Sequence, residues 1–354
     1  MTDHDGNRER EPVRGRAADG RASRFRLRGW GGVAGMAVAC ALVASLTLPA
    51  LSSAPAGEPL ASAPAGRERS TVREAEDCTD PEASLRPSTA GGPNIDAIRQ
   101  RGKLIVGIDQ NSYRWGYRDP VGGGLEGFDI DLARAIAADI LGSPDAVIFR
   151  AIPTNQRIPA LETGRVDIVV RTMTITCDRI EQVAFSTAYF RAGQQVLAPK
   201  SSPVTGYDAS LEGLRVCSAE GSTAYEALER NSFGAVFQDE HDGQPQDEDL
   251  LTVPNQLDCL VRLQLGLVDA IVTDNALAAG QAAQDPAVEL KGDGPFTTEY
   301  YGVATELGKD DLVRRVNHVL EEYRKGPWME AYRKWLEADL PGVTGPPQPI
   351  YRAG

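Results

Sequence analysis

Charged and hydroxyl-bearing residues follow several apolar runs of the sequence, at points where the strands of a sheet would end. Asp109 follows one such run, the segment 172–179 follows another, and Asp274 ends a third. Ser222 and Thr223 follow a fourth and open a helical segment. Ligands of α/β sheets bind beyond the carboxyl ends of the strands. We therefore expect these residues to meet in one site.

The residue types in this set match the two charged groups of an amino acid. A carboxylate is bound by a bidentate arginine and by backbone N–H groups at a helix start. An ammonium is bound by carboxylate and carbonyl oxygens. The chain offers both kinds of group at its predicted strand ends, so the candidate chemistry is the reversible binding of a small zwitterion.

The elements that must position these residues alternate along the chain. Apolar runs predict strands over 103–108, 146–152, 166–170, 214–217 and 269–273. Helical spacing of apolar residues predicts helices over 95–101, 128–141, 157–163, 255–266, 310–325 and 328–336. A helix before 103–108 is expected to be capped by Asn94. Alternating strands and helices predict parallel sheets covered by helices.

The charge distribution is typical of an exported protein. The net charge is −13, which argues against nucleic acid as the partner. Residues 1–28 nevertheless carry eight Arg against five Asp or Glu, and no charged residue occurs in 29–56. A basic start followed by an apolar run indicates a signal or a membrane anchor.

The fate of this apolar segment, 30–51, stays open. It is long enough to cross a bilayer as a retained anchor. Small residues at 54–56 and 61–63 permit cleavage as a signal peptide. Lipid attachment at Cys40 is the third alternative, although the preceding Ala-Val-Ala lacks the usual leucine. All three place the remaining chain outside. We assign 1–29 to the basic start, 30–56 to the signal or anchor, and 57–93 to a flexible spacer rich in Ala, Pro and Ser.

A resemblance to a known family is carried by several motifs. They are GFDIDLARAIA (127–137), IPALETGRVDIV (158–169), TMTITCDRIEQVAFSTAYF (172–190), GST (221–223), LGLVDAIVTD (265–274) and WMEAYRKWL (328–336). In this order they resemble the family 3 solute-binding proteins of polar amino-acid ABC transporters, of the glutamine- and glutamate-binding type. The resemblance implies the two-lobed, type II periplasmic-binding-protein fold, an α/β fold with two hinge strands. It implies lobe 1 over 94–190 and 300–340, lobe 2 over 191–299, hinges over 189–196 and 298–303, and a tail over 341–354.

The resemblance also implies site roles. Arg179 would clamp the ligand α-carboxylate, and Asp274 would take the α-ammonium. Thr174 would contact the ligand through its hydroxyl and backbone, Thr172 would offer its carbonyl, and backbone N–H groups would come from Ser222 and Thr223.

The side-chain end of the ligand is less defined. Asp109 matches a position that contacts the ligand side chain in glutamine-binding relatives. Tyr113 and Trp115 are candidates for the pocket wall, with core packing as the alternative. Arg171 departs from the small residue expected there, and if it points inward it favours glutamate or aspartate. Arg150 and Arg157 are further basic candidates.

Four cysteines besides Cys40 allow three disulfide pairings. We favour Cys217 with Cys259 and Cys78 with Cys177, since each pair then lies within one lobe. His4, His241 and His318 are scattered and no Cys-x-x-Cys occurs, so neither a metal site nor a cofactor is predicted.

The expected function is an extracytoplasmic, monomeric amino-acid-binding protein that serves an ABC transporter permease, at the cell surface or secreted. The ligand would be glutamate, glutamine or aspartate. Two alternatives remain: a sensor that signals to a membrane partner such as a kinase, and a dehydratase on the same fold. Catalysis is not expected, because no histidine lies near the predicted cleft and no Gly-x-Ser-x-Gly motif occurs.

Overall fold

The computed structural model of the protein describes residues 78–239 and 250–353. Its strands are β1 (Leu104–Ile108), β2 (Asn111–Ser112), β3 (Gly116–Arg118), β4 (Leu125–Glu126), β5 (Val147–Ala151), β6 (Ile168–Val169), β7 (Val183–Phe185), β8 (Phe190–Ala192), β9 (Gln194–Pro199), β10 (Val216–Ala219), β11 (Thr252–Val253), β12 (Ala270–Asp274), β13 (Val288–Lys291), β14 (Glu299–Tyr301) and β15 (Ala304–Glu306). Its α-helices are Pro93–Arg101, Phe128–Leu141, Arg157–Glu162, Cys177–Ile180, Thr223–Arg230, Gln256–Gln264, Asn275–Gln284, Asp310–Arg324 and Pro327–Trp335.

Lobe 1 is built on a five-stranded sheet of order β5-β1-β6-β15-β7. β1 pairs in parallel with β5 and β6, whereas β15 pairs antiparallel with β6 and β7. Four of the five residues of β1 are buried, as expected for a parallel strand covered on both faces. Helix Phe128–Leu141 covers the sheet with a buried apolar face. The carboxyl ends of β1 and β6 therefore point Asp109 and the segment after Val170 toward the same edge.

Lobe 2 repeats the plan with a five-stranded sheet of order β11-β10-β12-β9-β13. The chain enters this lobe through β8 and leaves it through β14, and these two strands pair antiparallel, with Glu299 opposite Ala192. This is the two-lobed α/β arrangement with two hinge strands that the motifs imply. Because only two strands connect the lobes, the lobes can rotate as rigid bodies.

The segment 78–93, predicted as part of a flexible spacer, is packed against lobe 1, so that prediction was wrong for these residues. The hydroxyl of Ser84 donates to the Phe185 carbonyl at 2.6 Å. The side chain of Asn317, on helix Asp310–Arg324, donates to the Leu85 carbonyl. Tyr351 in the tail forms an isolated parallel β-bridge with Ser84. The segment is held by the Ser84 side chain and by backbone groups, which leave no periodic pattern in the sequence.

Two smaller expectations also failed. The segment around Tyr113, for which no strand was predicted, contains a small antiparallel sheet of β2, β3 and β4. Asn94 does not cap the first helix, which begins at Pro93. Instead the distant carboxylate of Asp311 accepts from the backbone N–H groups of Asn94 and Ile95 at 3.0 and 3.1 Å, and so supplies the missing cap.

The expected signal or anchor (30–56), the basic start (1–29), Cys40 and the spacer up to residue 77 lie outside the described residues. Within the ranges 78–239 and 250–353, no helix has the length and apolarity needed to span a membrane.

Both favoured disulfides are present in the structure. Cys78 is bonded to Cys177 across 99 residues, and Cys217 is bonded to Cys259 across 42 residues. The first joins the packed N-terminal segment to the helix that carries Arg179. The second lies inside lobe 2, where both sulfur-bearing side chains are buried in the core. Neither bond crosses between the lobes, so neither disulfide restricts their relative movement.

We expect the double variant Cys78→Ser/Cys177→Ser to be less stable than the native chain by about 2–4 kcal/mol, since the bond removes loop entropy from the unfolded state. Urea unfolding of the two proteins measures the difference. An unchanged midpoint would show that the N-terminal segment contributes nothing through this bond.

Candidate functional site

The site lies in the cleft where the edges of the two sheets face each other. The lobes are in direct contact there: the Thr154 N–H donates to the Pro254 carbonyl at 3.0 Å. The strand ends bring most of the predicted residues to this cleft, and nearly all of them are buried although they are polar. The buried predicted residues are Asp109, Arg157, Arg171, Thr172, Thr174, Arg179, Ser222, Thr223 and Asp274, and the structure adds two buried residues that were not predicted, Gln194 and Glu299.

Arg179 reaches from lobe 1 to lobe 2. Thr176 caps the short helix Cys177–Ile180 and fixes the start of the turn that carries this arginine. Nη1 of Arg179 donates to the Thr174 carbonyl at 2.9 Å, and Nη2 donates to the Gly221 carbonyl at 3.1 Å. Nη2 also forms an ion pair with Glu226 at 3.3 Å. The guanidinium therefore stands where the loop of lobe 1 meets the helix start of lobe 2.

Two further arginines crowd the same cleft. Nη2 of Arg157 also donates to the Gly221 carbonyl, at 2.9 Å. Burial lowers the pKa of Arg157 well below its usual value, and the positive charges of Arg179 and Arg171 lower it further. Three buried guanidinium groups that repel each other form an environment that an anion stabilises.

Arg171 points inward and is fully buried. Its Nη2 pairs with the Asp109 carboxylate at 3.1 Å and donates to Oδ1 of Asn255, in lobe 2, at 3.3 Å. Its Nε and Nη1 are buried and have no hydrogen-bond partner within the described part of the chain. Asp109 also accepts from the Ser112 hydroxyl at 2.8 Å. The pair thus presents two free donors next to a carboxylate.

The loop after β6 turns through a strained residue. Thr172 has a φ of 41°, in the left-handed region that β-branched residues rarely adopt. Its N–H donates to the Asp129 carboxylate at 3.0 Å, and the Tyr189 hydroxyl donates to the other oxygen of that carboxylate at 2.9 Å. Burial raises the pKa of Asp129 to about 7. Strain of this kind is characteristic of ligand-binding loops.

We expect Thr172→Gly to be more stable than Thr172→Ala by about 0.5–1 kcal/mol. Both variants lose the same side chain, but only alanine keeps the Cβ that makes the left-handed conformation cost about 1–2 kcal/mol. The backbone entropy of glycine offsets part of that gain. Urea unfolding of the pair decides the order. Equal midpoints would mean that residue 172 relaxes without strain.

Asp274 ends β12 on the lobe 2 side of the cleft. Oδ2 accepts from the Tyr301 hydroxyl at 2.6 Å, and Oδ1 accepts from the side-chain amide of Gln194. Burial, followed by the negative charge of Glu299, raises the pKa of Asp274 to about 7. A carboxylate in this position is stabilised by a neighbouring cation.

Three predicted residues have a structural role in the fold. Trp115 packs edge-on against Phe190 in the lobe 1 core, which is the core-packing alternative for this residue. Its Nε1 donates to the Ala276 carbonyl. Tyr113 packs edge-on against Tyr117. Ser222 caps helix Thr223–Arg230, since its hydroxyl accepts from the Tyr225 N–H.

Sequence reasoning missed Gln194, Asn255 and Glu299. Gln194 and Glu299 lie within the predicted hinge segments, and both are buried in the structure. A polar residue inside a predicted hinge strand is the sequence signal that could have marked them. Asn255 is indistinguishable in sequence from an ordinary helix start.

A separate cavity of about 780 Å³ is lined by residues of the hinge region and of the tail, among them Arg191, Ala192 and Val343. None of the arginines and acids of the cleft lines it. In the ranges 78–239 and 250–353, no three His, Cys, Asp or Glu side chains come together as a metal site requires.

Comparison with known proteins identifies the family to which the chain is similar. Residues 104–338 match the family model of bacterial extracellular solute-binding proteins, family 3. The ABC transporter glutamine-binding protein GlnH of Bacillus subtilis is 33% identical over 69% of this chain and 85% of its own length. The glutamate-binding protein GluB of Corynebacterium efficiens is 28% identical over 71% of this chain and 83% of its own.

A solved structure gives the same result for the fold. The solute receptor for L-cysteine of Neisseria gonorrhoeae superposes with a TM-score of 0.63 at 26% identity and covers 69% of this chain and 94% of that one. The chain therefore belongs to the bacterial extracellular solute-binding proteins of family 3.

Proposed function

We propose that this protein binds a polar amino acid of the glutamine, glutamate or aspartate type between its two lobes, outside the cytoplasmic membrane, and delivers it to an ABC transporter permease. The proposal rests on one observation: the buried cleft contains both hydrogen-bond donors and an acceptor that have no partner among the described residues. Arg171 has two free donor nitrogens, and Oε1 of Gln194 has no partner within the described residues. Buried polar groups are normally hydrogen-bonded, so the cleft suits a ligand with both anionic and cationic ends.

Each charged group of such a ligand has a counterpart. The α-carboxylate is assigned to Arg179, with Ser222 and Thr223 adding backbone N–H groups from the helix start. The α-ammonium is assigned to Asp274, Thr174 and the Thr172 carbonyl. These groups come from different lobes, so a ligand that touches both ends favours the closed state.

The side chain of the ligand is assigned to the pair of Asp109 and Arg171. A carboxylate accepts from the free Arg171 nitrogens. A primary amide accepts from Arg171 and also donates to Asp109, which offsets its lack of charge. Both glutamate and glutamine therefore fit the pair, and their relative affinities decide which interaction dominates.

Calorimetric titration of the full chain with L-glutamine, L-glutamate and L-aspartate at neutral pH tests the proposal, with D-glutamine as the stereochemical control. We expect saturable one-to-one binding of at least one L-amino acid. Glutamate much tighter than glutamine assigns Arg171 as the specificity residue, and the reverse order assigns Asp109. A folded protein that binds none of the three would overturn the proposal.

The proposed delivery to a permease rests on relatives such as the ABC transporter glutamine-binding protein GlnH. The glutamate-binding protein GluB is a second such relative that binds an amino acid. Cells that lack this chain should lose high-affinity uptake of the bound amino acid. The sensor and dehydratase alternatives have no support, because the matching family model and these relatives are solute-binding proteins.

The site of attachment is part of the proposal. Two disulfides fit an oxidising, extracytoplasmic compartment. The segment 30–51 then acts as a retained anchor, a cleaved signal or a segment lipidated at Cys40. Mass spectrometry of the mature N-terminus distinguishes the three.

A further inference from the structure

Hydrogen-bond acceptors dominate one end of the cleft, beside the hinge strands. Glu299 begins β14 and is 8% exposed. Its Oε2 accepts from the Thr174 hydroxyl of lobe 1 at 2.7 Å and from the Thr223 hydroxyl of lobe 2 at 2.8 Å. Its Oε1 accepts from the Thr297 hydroxyl at 3.2 Å. This hinge carboxylate therefore joins one ligand-binding loop from each lobe.

The two hydroxyls are left with acceptor capacity only. A threonine hydroxyl has one proton and two lone pairs. Thr174 and Thr223 each give that proton to Glu299, so neither has a proton left for a ligand. Thr223 uses a lone pair to accept from the Gln194 amide at 2.9 Å. The Thr174 oxygen can then only accept from a further group.

Gln194 adds a free acceptor to the same cluster. Its amide nitrogen donates to both Thr223 and Asp274, which uses both of its N–H groups. Its Oε1 is buried without a partner in the part of the chain that the structure describes. The orientation of the amide is set by these two acceptors, because the reverse orientation would place its oxygen against the Asp274 carboxylate.

The cluster also contains two acidic side chains, and the positive charge of Arg157 offsets only part of their effect on the pKa of Asp274. Asp274 and Glu299 are both buried, and within residues 78–239 and 250–353 neither forms an ion pair with a Lys, Arg or His. The raised pKa of Asp274 follows from burial and from the Glu299 charge. Two buried carboxylates, a free amide oxygen and a free hydroxyl lone pair are complementary to a cation with several N–H groups.

We propose that Glu299 is a positioning residue for the α-ammonium of the ligand: it holds the hydroxyl protons of Thr174 and Thr223, so that Thr174 accepts one ammonium N–H and Oε1 of Gln194 accepts another. The inference rests on the proposed amino-acid binding and adds two hinge-segment residues to that site. A purely structural Glu299 would only join the lobes and would be indifferent to the ammonium.

Glu299→Met tests the proposal, with L-glutamine and 4-carbamoylbutanoate, which is glutamine without its α-amino group, as the two probes. Methionine has a similar length and no side-chain oxygen, so the hydroxyls of Thr174 and Thr223 lose the acceptor of their protons and can turn those protons toward the ligand. We expect at least a tenfold loss of affinity for glutamine and a change of less than twofold for 4-carbamoylbutanoate. Equal losses for both probes, or no loss for glutamine, would overturn the positioning role.

A double-mutant comparison adds a second readout. If Glu299 acts through Thr174, the affinity of Thr174→Val for glutamine should fall and should not fall further in the double variant Thr174→Val/Glu299→Met. Additive losses would contradict action through Thr174. Thermal unfolding of both single variants and of the double variant checks that a lower affinity does not result from a loss of folding.

Glu289→Met is the matched control, since Glu289 lies on the edge strand β13, is paired with Lys291 at 2.7 Å and stands opposite Ala198, at the other end of β9 from Gln194. It removes the same charge and should leave both affinities unchanged. Native protein that binds neither probe nor any other amino acid would refute the proposed function itself. Native protein that binds glutamine, with a folded Glu299→Met variant that binds it equally well, would refute only the role of Glu299.

Discussion

Arg179→Ala should weaken amino-acid binding by about 30-fold to several thousand-fold, which corresponds to the roughly 2–5 kcal/mol lost when one partner of a buried charged hydrogen-bonded pair is removed. Calorimetric titration of the variant with the best ligand of the native chain measures the loss. The protein should still fold, because Arg179 lies in a four-residue helix at the cleft and outside the four apolar core clusters.

The size of this effect follows from the contacts of the guanidinium. It already bridges the Thr174 carbonyl and the Gly221 carbonyl, so it is held in place by both lobes when they close. A preorganised, buried arginine binds a carboxylate through two parallel hydrogen bonds. Alanine removes those bonds and leaves the ligand carboxylate buried without a partner.

Arg179→Lys sharpens the test, since lysine keeps the charge but cannot reproduce the planar fork. We expect it to bind far more weakly than the native chain, and Arg230→Ala, which removes an exposed arginine of lobe 2, to bind normally. If Arg179→Lys bound as tightly as the native protein, charge alone would hold the carboxylate. Unchanged affinity in Arg179→Ala would remove the proposed ligand orientation.

The helices and strands of the two lobes could be predicted because they follow simple patterns of apolar residues. The helix predicted over 128–141 is present as Phe128–Leu141, and the glycine at 142 ends it in the left-handed conformation. The strand predicted to end at Asp274 does so. Local periodicity and helix-stop residues encode such elements within a few turns of chain.

The interactions inside the cleft depend on contacts that the sequence does not encode locally. Thr174 and Glu299 are 125 residues apart, and Thr223 and Glu299 are 76 apart. Arg171 was expected to act through its charge, but Asp109, itself a predicted ligand contact, neutralises it. Trp115 illustrates the same difficulty, because an aromatic residue in a loop has the same local pattern whether it faces a ligand or the core.

Asp274 should make ligand affinity depend on pH in a predictable direction. The pKa of its carboxyl is raised to about 7, whereas an unfolded aspartate titrates near 4. An ammonium ligand needs the ionised carboxylate, so affinity for glutamine should rise with pH up to about 7 and then level off. Below that pKa it should fall roughly tenfold for each pH unit. Titrations between pH 5.5 and 8.5 measure the profile, since both α-groups of glutamine keep their charge in this range.

Asp274→Asn isolates this group. It should bind glutamine about 30-fold or more weakly at pH 8, as expected for the loss of a buried charge partner, and its affinity should no longer change between pH 5.5 and 8.5. A profile that persists in the variant would assign the titration to another group, of which Asp129, with a pKa also raised to about 7, is the first to test.

The stability of the ligand-free protein should respond to pH in the opposite direction. A folded-state pKa above the unfolded value means that the native protein binds more protons between about pH 4 and 7, so its free energy of unfolding falls as pH rises through that window. Asp274→Asn should remove part of this slope. Over this range, ligand affinity should therefore increase with pH while the free energy of unfolding of the ligand-free protein decreases. These opposite trends are expected for a buried carboxylate that binds a cation only when the ligand is present. A structural acid paired inside the protein would instead have a depressed pKa and would lose stability on acidification.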